Sequence, residues 1–266
     1  MKAEYGANEV NISLAAFPGL RHEQAAELAI SKVVAGELSE PVFGKIHASH
    51  VQLVPQNFGI LDEGLCASLM AAYPHTQFRL HANVRISQKH TMADLSGLHR
   101  HQQWFEQAAR ISKRLNAQAY TAHSGSRSEA SMQQMLENAR RLADLFGCPV
   151  GVEGQYPVKG DHLLVTSWSE YREVFESGVP YALDLSHLNI LAHKSGAFET
   201  VMTQEMLACE RCIEVHVSDN NGSGDWHQIC ESKPWWHELM PYINKEAVVF
   251  TEGNHRHKRG TENHEG

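Results

Sequence analysis

The stretch Val179-Pro-Tyr-Ala-Leu-Asp184-Leu-Ser-His187 shows the pattern that decides the fold of this chain. A short apolar run, typical of a buried strand, ends in a carboxylate, and an imidazole follows three residues later. Asp225-Trp-His227 adds one more acid and one more imidazole. Other apolar runs also end in His or an acid, and they are Phe78-Arg-Leu-His81, Ala119-Tyr-Thr-Ala-His123, Val150-Gly-Val-Glu153, Ile213-Glu-Val-His216 and Val248-Val-Phe-Thr-Glu252.

Helical patterns separate these runs along the chain. The predicted strands are 9–14, 47–54, 78–84, 119–123, 150–153, 179–187, 213–216 and 246–252. Apolar residues at helical spacing predict helices over 23–38, 63–73, 94–115, 128–146, 168–176, 198–207 and 235–242. Apolar strands that alternate with helices indicate a parallel sheet buried on both faces. We therefore predict an α/β fold, a single (β/α)8 TIM barrel.

The length and composition agree with one large domain. A chain of 266 residues suits one α/β barrel, and an apolar share of 42% suffices for its core. We assign residues 1–253 to a TIM-barrel metalloenzyme domain. Residues 254–266 are charged and poor in apolar side chains, so we expect a mobile tail.

Charge and hydropathy disfavour several classes of partner. The net charge of −8 gives no basic footprint for nucleic acid. No apolar run reaches the ~18 residues of a membrane helix, and the N-terminus lacks the pattern of a signal peptide. The five Cys show no disulfide spacing. We therefore expect a cytoplasmic protein with reduced thiols and no membrane partner.

The strand-end side chains predict a metal site, because loops after the strands of a barrel meet at one face. Buried carboxylates and imidazoles without partners are costly, and a shared cation would satisfy them together. One ion takes about four to six ligands, so the set suits two or three ions, and its mixed imidazole and carboxylate donors suit iron, zinc or manganese. Glu153 and Glu252 are candidates for bridging the ions and for catalysis. The predicted ligands are His81, His123, Glu153, Asp184, His187, His216, Asp225, His227 and Glu252.

Asp219 lies in the loop after the seventh predicted strand, close in sequence to His216. A metal-bound imidazole usually donates its second ring N–H to an acceptor, and Asp219 is a candidate for that role. A loop-capping role for Asp219 is an equally good interpretation.

Four segments resemble the xylose-isomerase-like TIM barrels, and the likeness spans most of the chain. They are Val51-Gln-Leu-Val-Pro-Gln-Asn57-Phe, Glu153-Gly-Gln-Tyr-Pro, Asp184 to Gly196, and Asp225-Trp-His227 with Pro234-Trp-Trp236 downstream. They look most similar to the multinuclear non-haem iron-dependent oxidative enzymes, as in methanobactin biosynthesis. His187 instead matches the zinc enzyme endonuclease IV, and Gly154 replaces the usual Asn. The loop Val217 to Gly222 is similar to sugar isomerases and epimerases.

The resemblance implies several activities. The first is an iron-dependent oxidase or oxygenase that uses dioxygen to modify a cysteine-containing peptide, with a small partner protein presenting that peptide. The second is a sugar isomerase or epimerase, in which Glu153, Asp184, His216 and Glu252 bind one divalent ion. The third is a zinc phosphodiesterase, which the acidic balance disfavours, although Arg85, Arg127 and Arg211 offer phosphate contacts. A metal store without catalysis ranks last, because a barrel mouth is an accessible pocket.

Overall fold

Eight parallel strands form the main sheet of this computed structural model, which describes residues 8–256. Two short antiparallel strands, β2 and β3, make a separate hairpin that was not predicted. In chain order the strands are β1 (Val10–Ser13), β2 (Ser39–Glu40), β3 (Gly44–Lys45), β4 (His47–Leu53), β5 (Gln77–Leu80), β6 (Tyr120–His123), β7 (Val150–Glu153), β8 (Tyr181–Asp184), β9 (Cys212–Val217) and β10 (Val248–Thr251).

The sheet curves into a nearly closed barrel. Backbone pairing runs through β5, β4, β1, β10, β9, β8, β7 and β6 in that order. The two end strands face each other across the seam, where Nδ1 of His81, directly after β5, lies 3.1 Å from Oγ1 of Thr121 in β6. The predicted (β/α)8 barrel of the α/β class is therefore confirmed.

Seven α-helices lie between the strands. Side-chain oxygens of Asp62, Ser131, Ser167 and Asp184 accept hydrogen bonds from backbone N–H groups in the first turns of their helices, which explains where these helices begin. The helices are α1 (His22–Val34), α2 (Glu63–Ala72), α3 (Gln102–Arg114), α4 (Met132–Phe146), α5 (Trp168–Glu176), α6 (Leu185–Ser195) and α7 (Thr200–Ala208), with 3-10 helices at Leu14–Ala16, Leu95–Gly97 and Trp235–Tyr242.

The hydrophobic core lies between the barrel and these helices. The side chain of Tyr120 in β6 stacks on Phe146 in α4, with ring centroids 4.3 Å apart. Strands β7 and β8 are buried along their whole length, as expected for parallel strands covered on both faces.

Several predicted elements are wrong in their bounds: the helix predicted over 23–38 ends at Val34, the strand predicted over 78–84 ends at Leu80, and the helix predicted over 128–146 begins at Met132. Two others differ for reasons that the structure shows. The helix predicted from residue 94 begins only at Gln102, because the Leu95 carbonyl oxygen accepts a hydrogen bond from Asn138 and the segment forms a 3-10 turn. The predicted strand through His187 ends at Asp184, whose carboxylate accepts hydrogen bonds from the N–H groups of Ser186 and His187. His187 therefore lies in the first turn of α6, at the N-terminal end of a helix.

The start of the predicted tail contacts the barrel. The backbone N–H of Asn254 donates to the carbonyl oxygen of His227, and that of His255 donates to Ala16. The rest of the predicted tail, from residue 257, lies outside the described residues. Within residues 8–256, no helix is long and apolar enough to cross a bilayer.

Gly125 stands in the loop that follows β6, and its conformation offers a test of the tight packing there. Its φ is +92°, and an added Cβ would overlap Ser96 Oγ and lie 2.8 Å from Asp94 Cβ. Gly178 has a φ of +79° with nothing within 4 Å. We expect Gly178→Ala to cost about 1 kcal/mol of the free energy of unfolding, from the left-handed backbone alone. Gly125→Ala should cost about 2–4 kcal/mol, because it adds overpacking.

Denaturant unfolding of the two variants measures both costs. Equal losses would contradict the prediction, since they would mean that Ser96 and Asp94 move aside freely.

Candidate metal centre

The barrel brings the predicted ligands to one face. His123, Glu153 and Asp184 are the last residues of β6, β7 and β8. His81 follows β5 directly, and Glu252 follows β10 directly. Because all these strands are parallel, their C-terminal ends lie at the same mouth of the barrel.

The Glu153 carboxylate is the centre of this cluster. It is 1% exposed. Its Oε2 lies 3.5 Å from Nε2 of His81, and its Oε1 lies 3.6 Å from Nδ1 of His216. The same Oε1 is 3.9 Å from Nε2 of His123 and 3.7 Å from Nδ1 of His187. Four imidazoles therefore surround one buried carboxylate.

A second group of ligands continues the cluster through His187. Its Nε2 lies 3.4 Å from Oδ2 of Asp184 and 3.6 Å from Oδ2 of Asp225. Asp225 Oδ2 is 2.8 Å from Nε2 of His227, which is 3.6 Å from Oε2 of Glu252. All nine predicted ligands thus form one connected set of side chains.

Two atoms in this set indicate that a cation fits. Glu153 Oε2 and His216 Nδ1 are buried, and neither has a hydrogen-bond partner among residues 8–256. Unpaired buried polar atoms are costly, and a shared cation would satisfy both. Four sets of three residues each offer ligand atoms within 4.8 Å of one another: His81, His123 and Glu153; His81, Glu214 and His216; Glu153, Asp184 and His187; and Asp184, His216 and Glu252.

Neighbouring groups fix the orientation of the outer imidazoles. Nδ1 of His187 lies 2.9 Å from the carbonyl oxygen of Gly154, which can only accept, so Nδ1 carries a proton. Nε2 of the same ring faces the carboxylates of Asp184 and Asp225. Nδ1 of His123 lies 3.4 Å from Oδ1 of Asp94, and Asn83 donates to the same oxygen. Such partners are typical of metal-binding histidines.

Gly154 is packed so closely that no side chain fits at this position. An added Cβ at this position would overlap the ring of Tyr171, which is buried beside it. The Tyr171 hydroxyl donates to the carbonyl oxygen of Gln155. A larger residue at position 154 has no space unless Tyr171 moves.

A buried carboxylate that the sequence did not identify lies below the cluster. Glu214 is in β9, and its Oε1 is 2.8 Å from Nε2 of His216. Gln52 and Thr121 donate to the same oxygen at 2.8 and 2.7 Å. The other oxygen accepts from the Arg79 guanidinium at 2.8 Å. Glu214 thus joins side chains from four other positions around the barrel interior.

Of the two interpretations of Asp219, the structure agrees with the loop-capping one and not with an acceptor beside His216. Its carboxylate accepts a hydrogen bond from the backbone N–H of Asn220, and its backbone pairs with Gln228. This is the loop-capping geometry, whereas the acceptor beside His216 is Glu214. Glu214 is nearer because alternate residues of a strand point to the same face.

The ionisable groups shift one another strongly. Burial lowers the pKa of His187 and His227, but the charges of Asp184 and Asp225 raise that of His187 to about 10, and Glu252 with Asp225 raises that of His227 to about 9. Burial raises the pKa of Asp184 to about 6. Without a cation, protons on the imidazoles balance the carboxylate charge.

Burial and neighbouring groups also shift the pKa of Glu214 and of His81. Burial raises the pKa of Glu214, but its hydrogen bond with His216 and the charge of Arg79 lower it to about 2. Burial lowers the pKa of His81 to about 4, so this imidazole is neutral and ready to bind a cation at neutral pH. The cluster therefore combines neutral and protonated imidazoles with ionised carboxylates.

Comparison with known proteins supports the fold. No protein-family profile and no curated protein matches the chain. Among solved structures it is similar to an AP endonuclease of family 2 from Brucella melitensis, with 16% identity, coverage of 94% of this chain and 95% of the other, and a TM-score of 0.64.

Two further solved structures are similar over most of their length. A D-tagatose 3-epimerase-like protein has 14% identity, with 92% of this chain and 90% of the other covered and a TM-score of 0.63. The IOLI protein with a binding zinc atom has 11% identity, with 92% and 88% covered and a TM-score of 0.58. At these identities the likeness shows the barrel fold.

The raised pKa of His187 and of His227 predicts how metal binding depends on pH. At about pH 7.5 both imidazoles are positively charged without a metal, so each must lose one proton before it can bind a cation. We expect zinc affinity to fall at least about a hundredfold when the pH is lowered from about 8 to about 7. Chelator competition over this range measures the slope.

His227→Ala removes one of these protons and serves as the matched variant. For this variant, the change in zinc affinity per pH unit should be about tenfold smaller than for the wild type. A zinc affinity that is independent of pH would contradict the raised pKa of both groups.

Proposed function

We propose that this protein is a metalloenzyme that binds two or three ions in the mouth of its barrel. In the connected cluster around Glu153, the buried Glu153 Oε2 and His216 Nδ1 have no hydrogen-bond partner among residues 8–256, and a cation would satisfy both. Nine side chains are more than one ion takes. A closed structural site would not open onto a barrel mouth.

Two groups of ligands would hold the ions. His81, His123 and Glu153 form the first group, and Asp184, His216 and Glu252 form the second. Bound ions supply Lewis acidity and lower the pKa of groups bound to them. His187 connects the second group to the Asp225–His227 pair, which suits a third position.

Glu153 and Glu252 are the candidates for moving protons. Both carboxylates are buried, at 1% and 4% exposure, and both face the cluster. A buried carboxylate with several imidazole neighbours can accept or return a proton once cations replace the imidazole protons. We propose that these two residues act on a substrate in the barrel mouth.

Aromatic side chains beside the cluster suit substrate contacts. Trp226 stands between two proposed ligands and is 59% exposed. The ring of Tyr156 lies 4.9 Å from that of His187, and Nζ of Lys194 is 5.7 Å from the Tyr156 centroid. Such surfaces bind peptide side chains and sugar rings through their apolar faces. We propose a peptide or small-molecule substrate.

The first candidate chemistry is iron-dependent oxidation of a cysteine-containing peptide by dioxygen, with a small partner protein presenting the peptide. The number of ligands supports it, since a mononuclear reaction leaves several without a role. The donors are imidazole and carboxylate groups, which suit iron. Each of the five Cys of the chain is a free thiol outside this set of ligands.

The second candidate is a divalent-metal sugar isomerase or epimerase. Structural similarity to a D-tagatose 3-epimerase-like protein and to an L-ribulose 3-epimerase favours this chemistry over oxidation. Glu153, Asp184, His216 and Glu252 would bind a single ion. His81, His123 and the Asp225–His227 pair would then have no role in binding it.

The third candidate is a zinc phosphodiesterase, which the likeness to an AP endonuclease supports. The predicted phosphate contacts fit it poorly. Arg127 pairs with Glu170 at 2.7 Å, and Arg85 donates to the Pro55 carbonyl oxygen. Arg211 directly precedes β9 and therefore lies at the opposite end of the barrel from the cluster.

Metal content combined with one variant separates these candidates. We expect protein purified anaerobically from iron-supplemented cells to hold two to three irons per chain. His227→Ala removes only an outer ligand, so it should lower the content by about one ion and abolish turnover. His237→Ala, a half-buried histidine outside the cluster, is the matched control and should change neither value.

Each outcome identifies a chemistry. Thiol-peptide oxidation with oxygen consumption supports the first candidate. If the wild type and His227→Ala each hold one ion and both epimerise a sugar, the second candidate replaces the first. If the protein holds zinc and cleaves abasic DNA, the third candidate replaces it. No bound metal would overturn the proposal.

A further inference from the structure

Glu214 is a buried charge that the proposed ligand set does not use. It is 0% exposed and lies in the barrel interior below the cluster. Its two oxygens accept hydrogen bonds from four different side chains: Gln52, Arg79, Thr121 and His216. Its Oε1 already accepts three hydrogen bonds, and its Oε2 is paired with the Arg79 guanidinium, whose positive charge disfavours a cation there, although Glu214 lies near His81 and His216. Glu214 instead acts on two neighbouring histidines, His216 and His81.

The first neighbour is His216. An ionised carboxylate can only accept, so the ring nitrogen 2.8 Å from Glu214 Oε1, which is Nε2, must carry a proton. Gln52 Nε2 donates to the same oxygen and also lies 2.9 Å from His216 Nε2. That ring nitrogen cannot accept from Gln52, because it donates its own proton to Glu214. The lone pair of His216 is therefore on Nδ1 in the neutral ring. This is the atom that faces Glu153 Oε1 at 3.6 Å.

The second neighbour is His81, which Glu214 reaches through Thr121. The Thr121 hydroxyl has one proton, and it donates that proton to Glu214 at 2.7 Å. Its oxygen must then accept from Nδ1 of His81, which is 3.1 Å away. The lone pair of the neutral His81 ring is left on Nε2. This nitrogen lies 3.5 Å from Glu153 Oε2.

We propose that Glu214 sets the tautomers of two metal-binding histidines, so that His216 binds a cation through Nδ1 and His81 binds one through Nε2. The inference rests on the proposed metal centre. Glu214 is a positioning residue, because it acts through His216 directly and through the Thr121 hydroxyl on His81. Arg79 holds its second oxygen at 2.8 Å and thereby keeps the carboxylate ionised and fixed.

The direct test is long-range 1H–15N NMR on zinc-loaded protein with 15N-labelled histidine. Zinc is diamagnetic, and the spectrum reports which ring nitrogen is protonated and which is coordinated. We expect His216 to show coordinated Nδ1 and protonated Nε2, and His81 to show the reverse. Coordination of His216 through Nε2, or of His81 through Nδ1, would overturn the inference while leaving the metal centre intact.

Variants of Thr121 test the indirect path. Thr121→Val removes the hydroxyl without changing the shape, so His81 loses its acceptor. We expect zinc affinity to fall about tenfold, with mixed His81 tautomers and an unchanged His216 pattern. Thr121→Ser keeps the hydroxyl and should restore the wild-type spectrum. Thr203→Val is the matched control, because Thr203 is also fully buried but donates to the backbone carbonyl of Glu199, the residue before α7.

Glu214→Gln tests the direct path. Its amide has one accepting oxygen, so it cannot serve Arg79, Thr121 and His216 together, and zinc affinity should fall about 10–100-fold with both imidazole patterns altered. Unchanged affinity and unchanged tautomers in Thr121→Val and Glu214→Gln would contradict the inference. Failure of the wild type to bind any zinc would overturn the proposed metal centre itself and this inference with it.

Discussion

The buried negative charge of Glu153 is the constraint on which the rest of the site depends. A carboxylate that is 1% exposed must be balanced within the protein, because an uncompensated charge in the interior costs several kcal/mol. Three further carboxylates, those of Asp184, Asp225 and Glu252, lie in the same cluster. In the metal-free protein, protonated imidazoles balance this charge, which is why the pKa of His187 and of His227 is raised.

The charged side chains of the barrel lie at two levels. At the mouth, the strand ends present side chains that face a common centre. One level below, Glu214 and Arg79 form an ion pair inside the barrel, with a distance of 2.8 Å. The lower level neutralises itself and supplies hydrogen bonds to the imidazoles above it. In the upper level, Glu153 Oε2 and His216 Nδ1 have no hydrogen-bond partner among residues 8–256.

The fold was predictable because its signal repeats along the chain. Each apolar run that ends in a polar side chain indicated a strand of a parallel barrel, and the convergence of His81, His123, Glu153 and Asp184 followed from the topology alone. The position of His187 was not predictable in this way. Asp184 caps a helix with the same carboxylate that faces the cluster, and the apolar residues after it suit a strand or a helix equally.

The supporting residues were missed for a different physical reason. Asp94 approaches His123 from a loop far away in sequence, so no local pattern indicates it. Glu214 did leave a signal. It stands two residues before His216 on one face of a strand, as Thr121 stands two residues before His123 and Arg79 before His81. Polar residues at alternate positions of an otherwise apolar strand indicate an interior network, but only the structure shows which of them meet.

Anomalous X-ray diffraction from crystals of the metal-loaded protein would show whether this connected set of side chains binds more than one cation. The measurement counts the ions and identifies their ligands without assuming a substrate. We expect two or three anomalous peaks in the barrel mouth, with Glu153 in contact with at least one of them and His216 bound through Nδ1. A single peak held by Glu153, Asp184, His216 and Glu252 alone, or no peak, would contradict this expectation.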